Sequence, residues 1–312
     1  MHPTQFSSGD VIADRRADYA RMLADNGEHE AAVELMEQAL ELAPDWPAGL
    51  VRLADYAEKA GVPDKAVAAL RKVLERDAED LFGARLKLAL LGAEEVPDAP
   101  PSAYVEALFD DYADRFDKAL VERLDYTVPG KLAALVAEHH PERFHTTVDL
   151  GCGTGLFGAE IRERTARLEG FDLSVNMLTK AEEKQLYDLL AKADLSLDST
   201  ASGLFADDLP QARADLVSAA DVLMYLGDLG NAFSLASALA APGALFAFSV
   251  EDAGEGDGFQ LAPSLRYAHS EAHVRARLTE NGFELITLRR TTIRMDGGKP
   301  VLGILFLASR RP

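Results

Sequence analysis

The sequence predicts a chain of two parts, an all-α helical repeat unit followed by an α/β domain built on a parallel sheet. Residues 13–80 contain a 34-residue pattern twice, and from residue 145 onward short β-rich runs alternate with helical stretches. Residues 93–101 contain three prolines and read as the connection between the parts. We therefore expect domains at residues 1–98 and 146–312, joined over 99–145 by a linker and a helical segment.

Composition narrows the class of protein. The 312 residues carry a net charge of −20 and a single cysteine, Cys152. Binding to a nucleic-acid backbone depends on dense Lys and Arg, so this charge argues against a nucleic-acid partner. No apolar run approaches the roughly 20 residues of a membrane span, and one cysteine fits a reducing compartment. We expect a cytoplasmic protein without a membrane or metal site; its oligomeric state stays open.

The repeat is clearest at small residues. Ala20 aligns with Ala54 and Gly27 with Gly61, as expected for paired helices that pack closely and turn at glycine. This pattern resembles the tetratricopeptide repeat, whose period is also 34 residues. Residues 81–92 are expected to form a third, capping helix. The resemblance implies either a surface that holds a peptide or protein, or a scaffold beside the neighbouring site.

The second part is expected to contain five strands before its C-terminal region. A Pro242-Gly243 turn is expected to lead into the last of them. Ligands of parallel sheets gather at the carboxyl ends of the strands, so the residues at those ends are the candidate binding residues. The predicted strands span about residues 146–150, 167–172, 187–193, 214–220 and 244–250.

The first strand runs into VDLGCGTG at residues 148–155. Glycines in such a turn let the backbone lie directly against a ligand. Leu156 stands where the NAD fingerprint needs its third glycine, so that fingerprint is not met. Cys152 is expected to be a small filler in the turn. The turn indicates a nucleotide site without deciding which nucleotide it serves.

Carboxylates end the next three strands. Asp172 follows the glycine turn by about twenty residues, a position that suits the ribose hydroxyls of either NAD or S-adenosylmethionine. Asp194 is placed to meet an adenine amino group. Asp221 follows the fourth strand. Ser174 is expected to cap the helix that begins after Asp172.

Five segments in register resemble class I S-adenosylmethionine-dependent methyltransferases: VDLGCGTG, GFDLSVNML, YDLLAKADL, AADVLMYLGDL and APGALFAFSV. The likeness covers about residues 104–312 and extends to bacterial methyltransferases that carry N-terminal tetratricopeptide repeats. It implies a Rossmann-like, seven-stranded sheet with a C-terminal antiparallel hairpin, and S-adenosylmethionine as the methyl donor. Such a hairpin is signalled by strand-like runs at 283–293 and 300–309 around Asp296-Gly297-Gly298. A nicotinamide dehydrogenase, the alternative, would continue with a second βαβ half.

The resemblance also implies the residues of the donor site. Tyr112 and Phe116 lie four apart on one helical face, and related methyltransferases use such a segment as a lid over the donor. An aromatic face attracts the sulfonium cation; packing onto the sheet is the alternative, and Tyr126 is a further candidate. The full predicted donor set is Tyr112, Phe116, Asp149, Gly151, Cys152, Gly153, Asp172, Leu173, Met177, Asp194, Leu195 and Asp221.

The acceptor is left open between a protein or peptide and a small molecule. Methyl transfer from a sulfonium is an in-line displacement, so the protein mostly positions and desolvates the reactants. Where a general base is needed, the candidates are Asp221, Tyr225 and His269. Arg266 and Arg294 are candidates for holding an acceptor carboxylate, with a structural role as the alternative. A further alternative is a repeat-based adaptor whose second domain binds the donor without transferring the methyl group.

Overall fold

The computed structural model describes residues 7–113, 126–206 and 209–312. They form two compact units that divide between Ala107 and Leu108. The first unit is helical and contains α1 (Val11–Asp25), α2 (His29–Leu42), α3 (Pro47–Lys59), α4 (Pro63–Arg76), α5 (Ala84–Leu90) and the beginning of α6 (Ser102–Tyr112).

The predicted repeat appears as two helical hairpins, α1 with α2 and α3 with α4. Gly27 and Gly61 form the two turns with positive φ angles of 83° and 74°, a conformation that glycine adopts without steric cost. The aligned Ala20 and Ala54 are buried between the helices. Small residues at these positions allow the close packing that the pattern predicts.

The capping helix is shorter than the predicted span of 81–92. The Asp80 carboxylate accepts hydrogen bonds from the backbone N–H groups of Ala84, at 2.6 Å, and Arg85, at 3.0 Å. A side chain that satisfies the first free amides of a helix fixes where the helix begins. The helix α5 therefore starts at Ala84, after a turn in which Gly83 is left-handed.

The second unit carries the sheet. Its elements are α7 (Val128–His139), β1 (Phe144–Leu150), α8 (Leu156–Ile161), β2 (Thr165–Asp172), α9 (Val175–Glu183), β3 (Leu189–Lys192), β4 (Ala214–Ala219), α10 (Gly230–Leu239), β5 (Ala240–Asp252), β6 (Phe259–Leu261), β7 (Tyr267–His269), α11 (Glu271–Glu280), β8 (Phe283–Asp296) and β9 (Lys299–Arg310).

The sheet confirms the predicted topology. Parallel strands lie in the order β3-β2-β1-β4-β5, and β9 then pairs antiparallel with β5 and with β8. These seven strands end in the predicted C-terminal hairpin, where Asp296 pairs with Lys299 across a tip formed by Gly297 and Gly298. Both tip glycines have positive φ, as a two-residue hairpin turn requires.

Two strand predictions need correction. The third strand is limited to Leu189–Lys192, so Tyr187 precedes it. Pro242 and Gly243 lie inside β5 rather than in a turn before it. The β4–β5 register shifts between Ala214 and Leu216, so the extra residues form an irregularity of the strand instead of a loop.

A short hairpin, β6–β7, adds to the seven strands. Glu251 near the end of β5 pairs with Gly303 of β9 and also with Ala268 of β7. Since a strand residue has one partner on each edge, β7 occupies the edge of β5 that β4 has already left. The hairpin therefore lies beyond the carboxyl end of β4.

A glycine in the repeat provides a test of packing. A Cβ added at Gly49 would lie 2.3 Å from Cε3 of the buried Trp46, so Gly49→Ala should destabilise the chain by about 1–3 kcal/mol. Gly130→Ala is the matched control, because its Cβ would meet nothing closer than Glu160 at 3.9 Å; we expect unchanged or slightly higher stability there. Urea unfolding followed by circular dichroism measures both, and equal midpoints for the two variants would contradict the packing argument.

Candidate functional site

The glycine turn after β1 passes close to two neighbouring segments. Gly151 and Gly153 have φ angles of +63° and +54°. A Cβ on Gly151 would lie 2.3 Å from the side chain of Val222, which follows β4. The Cys152 amide donates to the Phe171 carbonyl at 3.0 Å. Glycine is therefore required by both backbone conformation and space, and the turn leaves its backbone at the carboxyl edge of the sheet.

Asp149 lies beneath this turn and is fully buried. Its two carboxylate oxygens accept from the hydroxyls of Tyr187, at 2.8 Å, and Ser218, at 2.7 Å. Burial raises the pKa of Asp149 to about 7, and the two hydroxyls oppose that rise. The carboxylate joins β1 to β4 and to the segment before β3, so it supports the turn from below.

Tyr187 was placed in a strand by the sequence pattern, and its role in the site was missed. Its ring lies over three glycines, where a Cβ would come within 2.9 Å of the ring at Gly155, 2.3 Å of its hydroxyl at Gly158 and 2.7 Å of the ring at Gly170. The sequence signal for the space that holds this ring is these three glycines, at the start of α8, within α8 and on β2. In this position the Tyr187 hydroxyl reaches the Asp149 carboxylate.

Asp172 ends β2 beside the glycine turn. Its carboxylate accepts from the amides of Gly153, at 2.8 Å, and Ser174, at 2.9 Å. The Leu173 amide also donates to this carboxyl group, and a carboxylate with about four acceptor positions can still accept from a ligand. The side chain is half-buried, and burial raises its pKa to about 6. The arrangement leaves an acceptor position for a ligand hydroxyl at the carboxyl edge.

The start of α9 is held by a residue that sequence reasoning did not single out, Asp110 on α6. Ser174 caps α9 through the Met177 amide, as predicted, and its hydroxyl donates to the Asp110 carboxylate at 2.6 Å. The Asn176 side chain donates to the Asp110 carbonyl at 3.2 Å. These bonds fasten the end of α6 to the carboxyl end of β2.

The predicted aromatic lid is described only in part. Tyr112 is half-buried at the end of α6, two residues beyond Asp110, whereas Phe116 lies outside the described residues. Leu173 is half-buried beside Asp172, and Met177 is fully buried on α9. Tyr112 and Leu173 thus belong to segments that the Asp110 bonds bring together.

Asp194 and Leu195 continue from β3 at the same edge, because the Ala193 amide donates to the Asp172 carbonyl at 2.9 Å. Asp194 accepts from the amide and hydroxyl of Ser196, at 2.9 and 2.6 Å. Leu195 is buried. The following stretch, 196–213, which the sequence left unplaced, is tied to α10 by the Asn231 side chain, which donates to the Ser196 carbonyl at 2.7 Å.

Asp221 belongs to a buried ionic group. Its backbone is left-handed, with φ at +57°, and its two oxygens lie 3.0 and 3.1 Å from one Nη of Arg294. The other Nη of Arg294 contacts Glu251, and the Arg294 side chain is 2% exposed. Burial raises the pKa of Asp221, and Arg294 opposes the rise. The ion pair with Arg294 stabilises the ionised carboxylate and competes with a proton for its oxygens, so the geometry does not favour the predicted role of general base.

His269 is also not placed as a base. It is fully buried, and its Nε2 lies 2.8 Å from the Leu226 carbonyl and 3.0 Å from the Gly227 carbonyl. Carbonyls only accept, so Nε2 carries the proton and donates it. Burial lowers the pKa of His269 to about 4. Among the described residues, Nδ1 has no hydrogen-bond partner and is fully buried, so an acceptor does not reach its lone pair. Through Nε2, His269 holds the segment after β4 against β7.

Two tyrosines and Arg266 lie near the segment that follows β4. Tyr225 is buried, its ring centroid is 5.0 Å from that of Phe109, and its hydroxyl accepts from Arg266 Nε at 3.3 Å. Burial raises the pKa of Tyr225 and raises that of Tyr126 well above its ordinary value. Both phenols are therefore neutral at physiological pH, so Tyr225 is a poor general base.

A family model for a methyltransferase domain matches residues 120–288, more than half of the chain. The chain belongs to the methyltransferase domain family. A tetratricopeptide repeat model matches residues 13–56. The malonyl-[acyl-carrier protein] O-methyltransferase of Serratia marcescens is 27% identical to this methyltransferase over 194 residues, which is 60% of this chain and 71% of that protein.

Solved structures show the same fold. The 1,6-didemethyltoxoflavin-N1-methyltransferase of Burkholderia thailandensis, solved with its substrate and S-adenosylhomocysteine, superposes with a TM-score of 0.52 at 18% identity, over 70% of this chain and 94% of that one. The cofactor of the methyltransferase is S-adenosylmethionine. The carboxyl edge suits it, since the glycine turn exposes backbone and Asp172 retains an acceptor position.

No helix in the ranges 7–113, 126–206 and 209–312 is long and apolar enough to cross a membrane. Within those same ranges, no group of three or more His, Cys, Asp or Glu side chains is arranged to hold a metal ion. Burial raises the pKa of Cys152 well above its ordinary value, so its thiol is not a nucleophile at neutral pH.

The raised pKa of Asp149 predicts a pH-dependent effect of Asp149→Asn. Between the unfolded pKa near 4 and the folded pKa of about 7, the folded wild type binds more protons than the unfolded chain, so Asp149 costs stability as pH rises. Asparagine does not titrate. The stability of the variant relative to wild type should therefore rise between pH 5 and 8, by an amount of the order of 2–3 kcal/mol.

Denaturant unfolding at both pH values measures this difference. Asp188→Asn is the control, because the Arg162 guanidinium lowers the pKa of Asp188 and that carboxylate is ionised in both states throughout this range. A relative stability of Asp149→Asn that stays flat from pH 5 to 8 would show that Asp149 is already ionised in the folded protein.

Proposed function

We propose that this methyltransferase transfers the methyl group of S-adenosylmethionine to an acceptor carried on a protein, and that the helical repeat unit binds that protein. The match of residues 13–56 to a tetratricopeptide repeat is the observation that carries the proposal. The Serratia relative supports it, because its name describes a malonyl group carried on an acyl-carrier protein. Such a substrate combines a small reacting group with a carrier protein. We propose that the methyltransferase unit binds the reacting group and that the helical repeat unit binds the protein.

The outer face of α1 supports a protein partner. Val11, Ile12, Tyr19 and Met22 are 66%, 58%, 63% and 57% exposed. The opposite face is buried through small residues such as Ala17. Large apolar side chains gathered on an exposed surface are typical of interaction sites. Their position on the first helix of the matched repeat makes this face our candidate for the protein contact.

For the donor, we propose the residues gathered at the carboxyl edge. The donor supplies a methyl group on a positively charged sulfur. Asp172 would accept from the ribose hydroxyls, the Gly151–Gly153 backbone would lie along the donor, and Asp194 would face the adenine. Tyr112 would cover it, with Leu173, Met177 and Leu195 as apolar walls. Asp149 would act one layer below, through the turn that it supports.

The contribution of the chain to transfer is positioning and exclusion of water. The neutral phenol rings of buried Tyr225 and half-buried Tyr126 lie near the end of β4, and aromatic faces attract a desolvated cation. Asp221 is paired with Arg294, the Tyr225 phenol is neutral, and His269 is buried with its pKa lowered to about 4, so each is a poor base. We propose that the nucleophilic atom of the acceptor carries an available lone pair when it reaches the site, so that no residue has to remove a proton from it.

Asp172→Ala tests the donor assignment. Loss of hydrogen bonds to a charged acceptor should weaken the binding of S-adenosylhomocysteine by about 2 kcal/mol, roughly thirtyfold in Kd. Isothermal titration calorimetry measures it, with the exposed Asp188→Ala as control and NAD(H) titrated in parallel. Unchanged affinity in Asp172→Ala would remove the ribose assignment, and binding of NAD(H) alone would contradict the donor.

The double variant Tyr19→Ala/Met22→Ala tests the protein acceptor, with the exposed Gln38→Ala on α2 as its control. The full chain is incubated with methyl-labelled S-adenosylmethionine and cell extract, and label is counted in macromolecules and in small molecules. Loss of apolar contacts should reduce label in macromolecules at least tenfold in the double variant, since two buried side chains contribute several kcal/mol. Binding of S-adenosylhomocysteine should not change.

The other outcomes identify the alternatives. Label that appears only in small molecules, at the same level in both variants, would make the repeat unit a scaffold for a small-molecule methyltransferase. Donor binding with no label in either fraction would support an adaptor whose second unit no longer transfers the methyl group.

A further inference from the structure

In the part of the chain that the structure describes, the predicted acceptor side of the edge provides a cation, Arg266, and none of the three predicted bases is accessible there. Among the described residues, the three candidate bases are accounted for: Asp221 is paired with Arg294, Tyr225 is a buried neutral phenol, and the unprotonated Nδ1 of His269 is buried out of reach of an acceptor. An acceptor that had to lose a proton during attack would find no group at these positions to take it. A suitable nucleophile therefore already has an available lone pair at neutral pH.

The two arginines of this region differ in how fully they are engaged. Arg294 is 2% exposed, and both of its Nη atoms contact buried carboxylates, those of Asp221 and Glu251. Its charge is neutralised inside the protein, and no surface of its guanidinium is left for a ligand. Arg294 is a structural residue that holds Asp221 in its left-handed conformation.

The guanidinium of Arg266 is only partly engaged and can contact a ligand. Its side chain is 26% exposed, its guanidinium carbon lies 6.0 Å from the centre of the Tyr225 ring, and Nε reaches the Tyr225 hydroxyl at 3.3 Å. Its Nη1 lies 3.4 Å from Asp296, whose own side chain is 55% exposed at the hairpin tip. Both distances are long for hydrogen bonds to a guanidinium. Within the described residues, Nη2 makes no hydrogen bond.

The Asp296 contact is easily replaced. An exposed ion pair contributes little, because water screens both charges and the long side chains lose freedom when they pair. A ligand carboxylate that binds Nη1 and Nη2 together gains the bidentate geometry that a guanidinium favours. The hydroxyl and ring of Tyr225 contact the guanidinium from the other side and favour this orientation of its two Nη atoms.

We propose that the acceptor presents a carboxylate to Arg266 and that a carboxylate oxygen receives the methyl group, so that the product is a methyl ester. This inference rests on the methyl transfer proposed above and specifies its acceptor class. Arg266 is then a residue of the acceptor site and determines specificity for an anion.

The chemistry balances without a base. A carboxylate oxygen forms a bond to the methyl carbon while the bond between that carbon and the donor sulfur breaks. The electron pair of the broken bond stays on sulfur, which becomes a neutral thioether. A negative and a positive reactant thus become two neutral products, and no proton moves. Exclusion of water by buried aromatic rings favours such a neutralisation of charge.

The test compares two probes in the full chain, the malonyl and the acetyl thioester of N-acetylcysteamine, which differ in the free carboxylate. Release of S-adenosylhomocysteine is measured, and the product is checked for an ester whose methyl group leaves as methanol in alkali. We expect turnover of the malonyl probe only. Arg266→Met should raise KM for that probe by tenfold to a hundredfold, and Arg266→Lys should restore part of the loss.

Two controls separate the role of Arg266 from the methyl transfer proposed above. Arg275→Met removes an exposed arginine of α11 that pairs with Glu271, and it should leave KM unchanged. Binding of S-adenosylhomocysteine to Arg266→Met should stay within twofold of wild type, which shows that the variant is folded with an intact donor site. Calorimetric titration of the malonyl probe into protein saturated with S-adenosylhomocysteine should give a heat of binding that Arg266→Met abolishes.

Each remaining outcome has one meaning. If neither probe is turned over, the same comparison is made on product labelled in cell extract. Label that alkali releases, and that falls tenfold in Arg266→Met, supports a methyl ester. Alkali-stable label overturns the methyl ester while leaving methyl transfer intact. Equal KM in Arg266→Met and wild type also overturns it. No labelled product from any source, despite donor binding, contradicts the proposed transfer itself.

Discussion

A carboxylate buried beneath the glycine turn, that of Asp149, joins parts of the sheet that are far apart in the chain. Through Ser218 it contacts β4, and through Tyr187 it contacts the segment that leads into β3. Burying this group is costly unless its oxygens are satisfied, so the two hydroxyls must be in place. Tyr187 reaches Asp149 only because Gly155, Gly158 and Gly170 leave room for its ring. The placement of the turn follows from that set of contacts.

A second buried charge connects the far edge of the sheet to the same region. Arg294 lies on β8, and its contacts with Asp221 and Glu251 link the C-terminal hairpin to the ends of β4 and β5. Removing one partner of such a group leaves an uncompensated charge in the interior. The hairpin is therefore an integral support of the edge where the strands end.

Much of the fold was predictable because its signals are local. The paired helices, the turn at 148–155 and the Gly297-Gly298 tip each depend on residue types within a few positions. The Ser174 cap was predictable for the same reason. Such patterns report the conformation of their own segment, and the fold class follows when several of them occur in order.

The contacts that shape the site were not predictable in this way. Tyr187 is 38 residues from Asp149, Asp110 is 64 from Ser174, and Arg294 is 73 from Asp221. No periodicity links such pairs, and each becomes visible only when the strands are arranged. The same limit explains His269, which resembles a catalytic residue by its position in the chain but donates to carbonyls once β7 is placed beside the end of β4.

The two sides of the edge come from different stretches of chain. The proposed donor side is built from the turn, Asp172 and Asp194, whereas the proposed acceptor side draws on Tyr225, Arg266 and the hairpin that ends in Gly297-Gly298. Because the hairpin tip closes in two residues and meets Arg266 only through Asp296, a longer tip changes what the arginine meets without touching the turn. With the proposed acceptor role of Arg266, exchange of this one loop would change substrate preference while the glycine turn and Asp172 stay as they are.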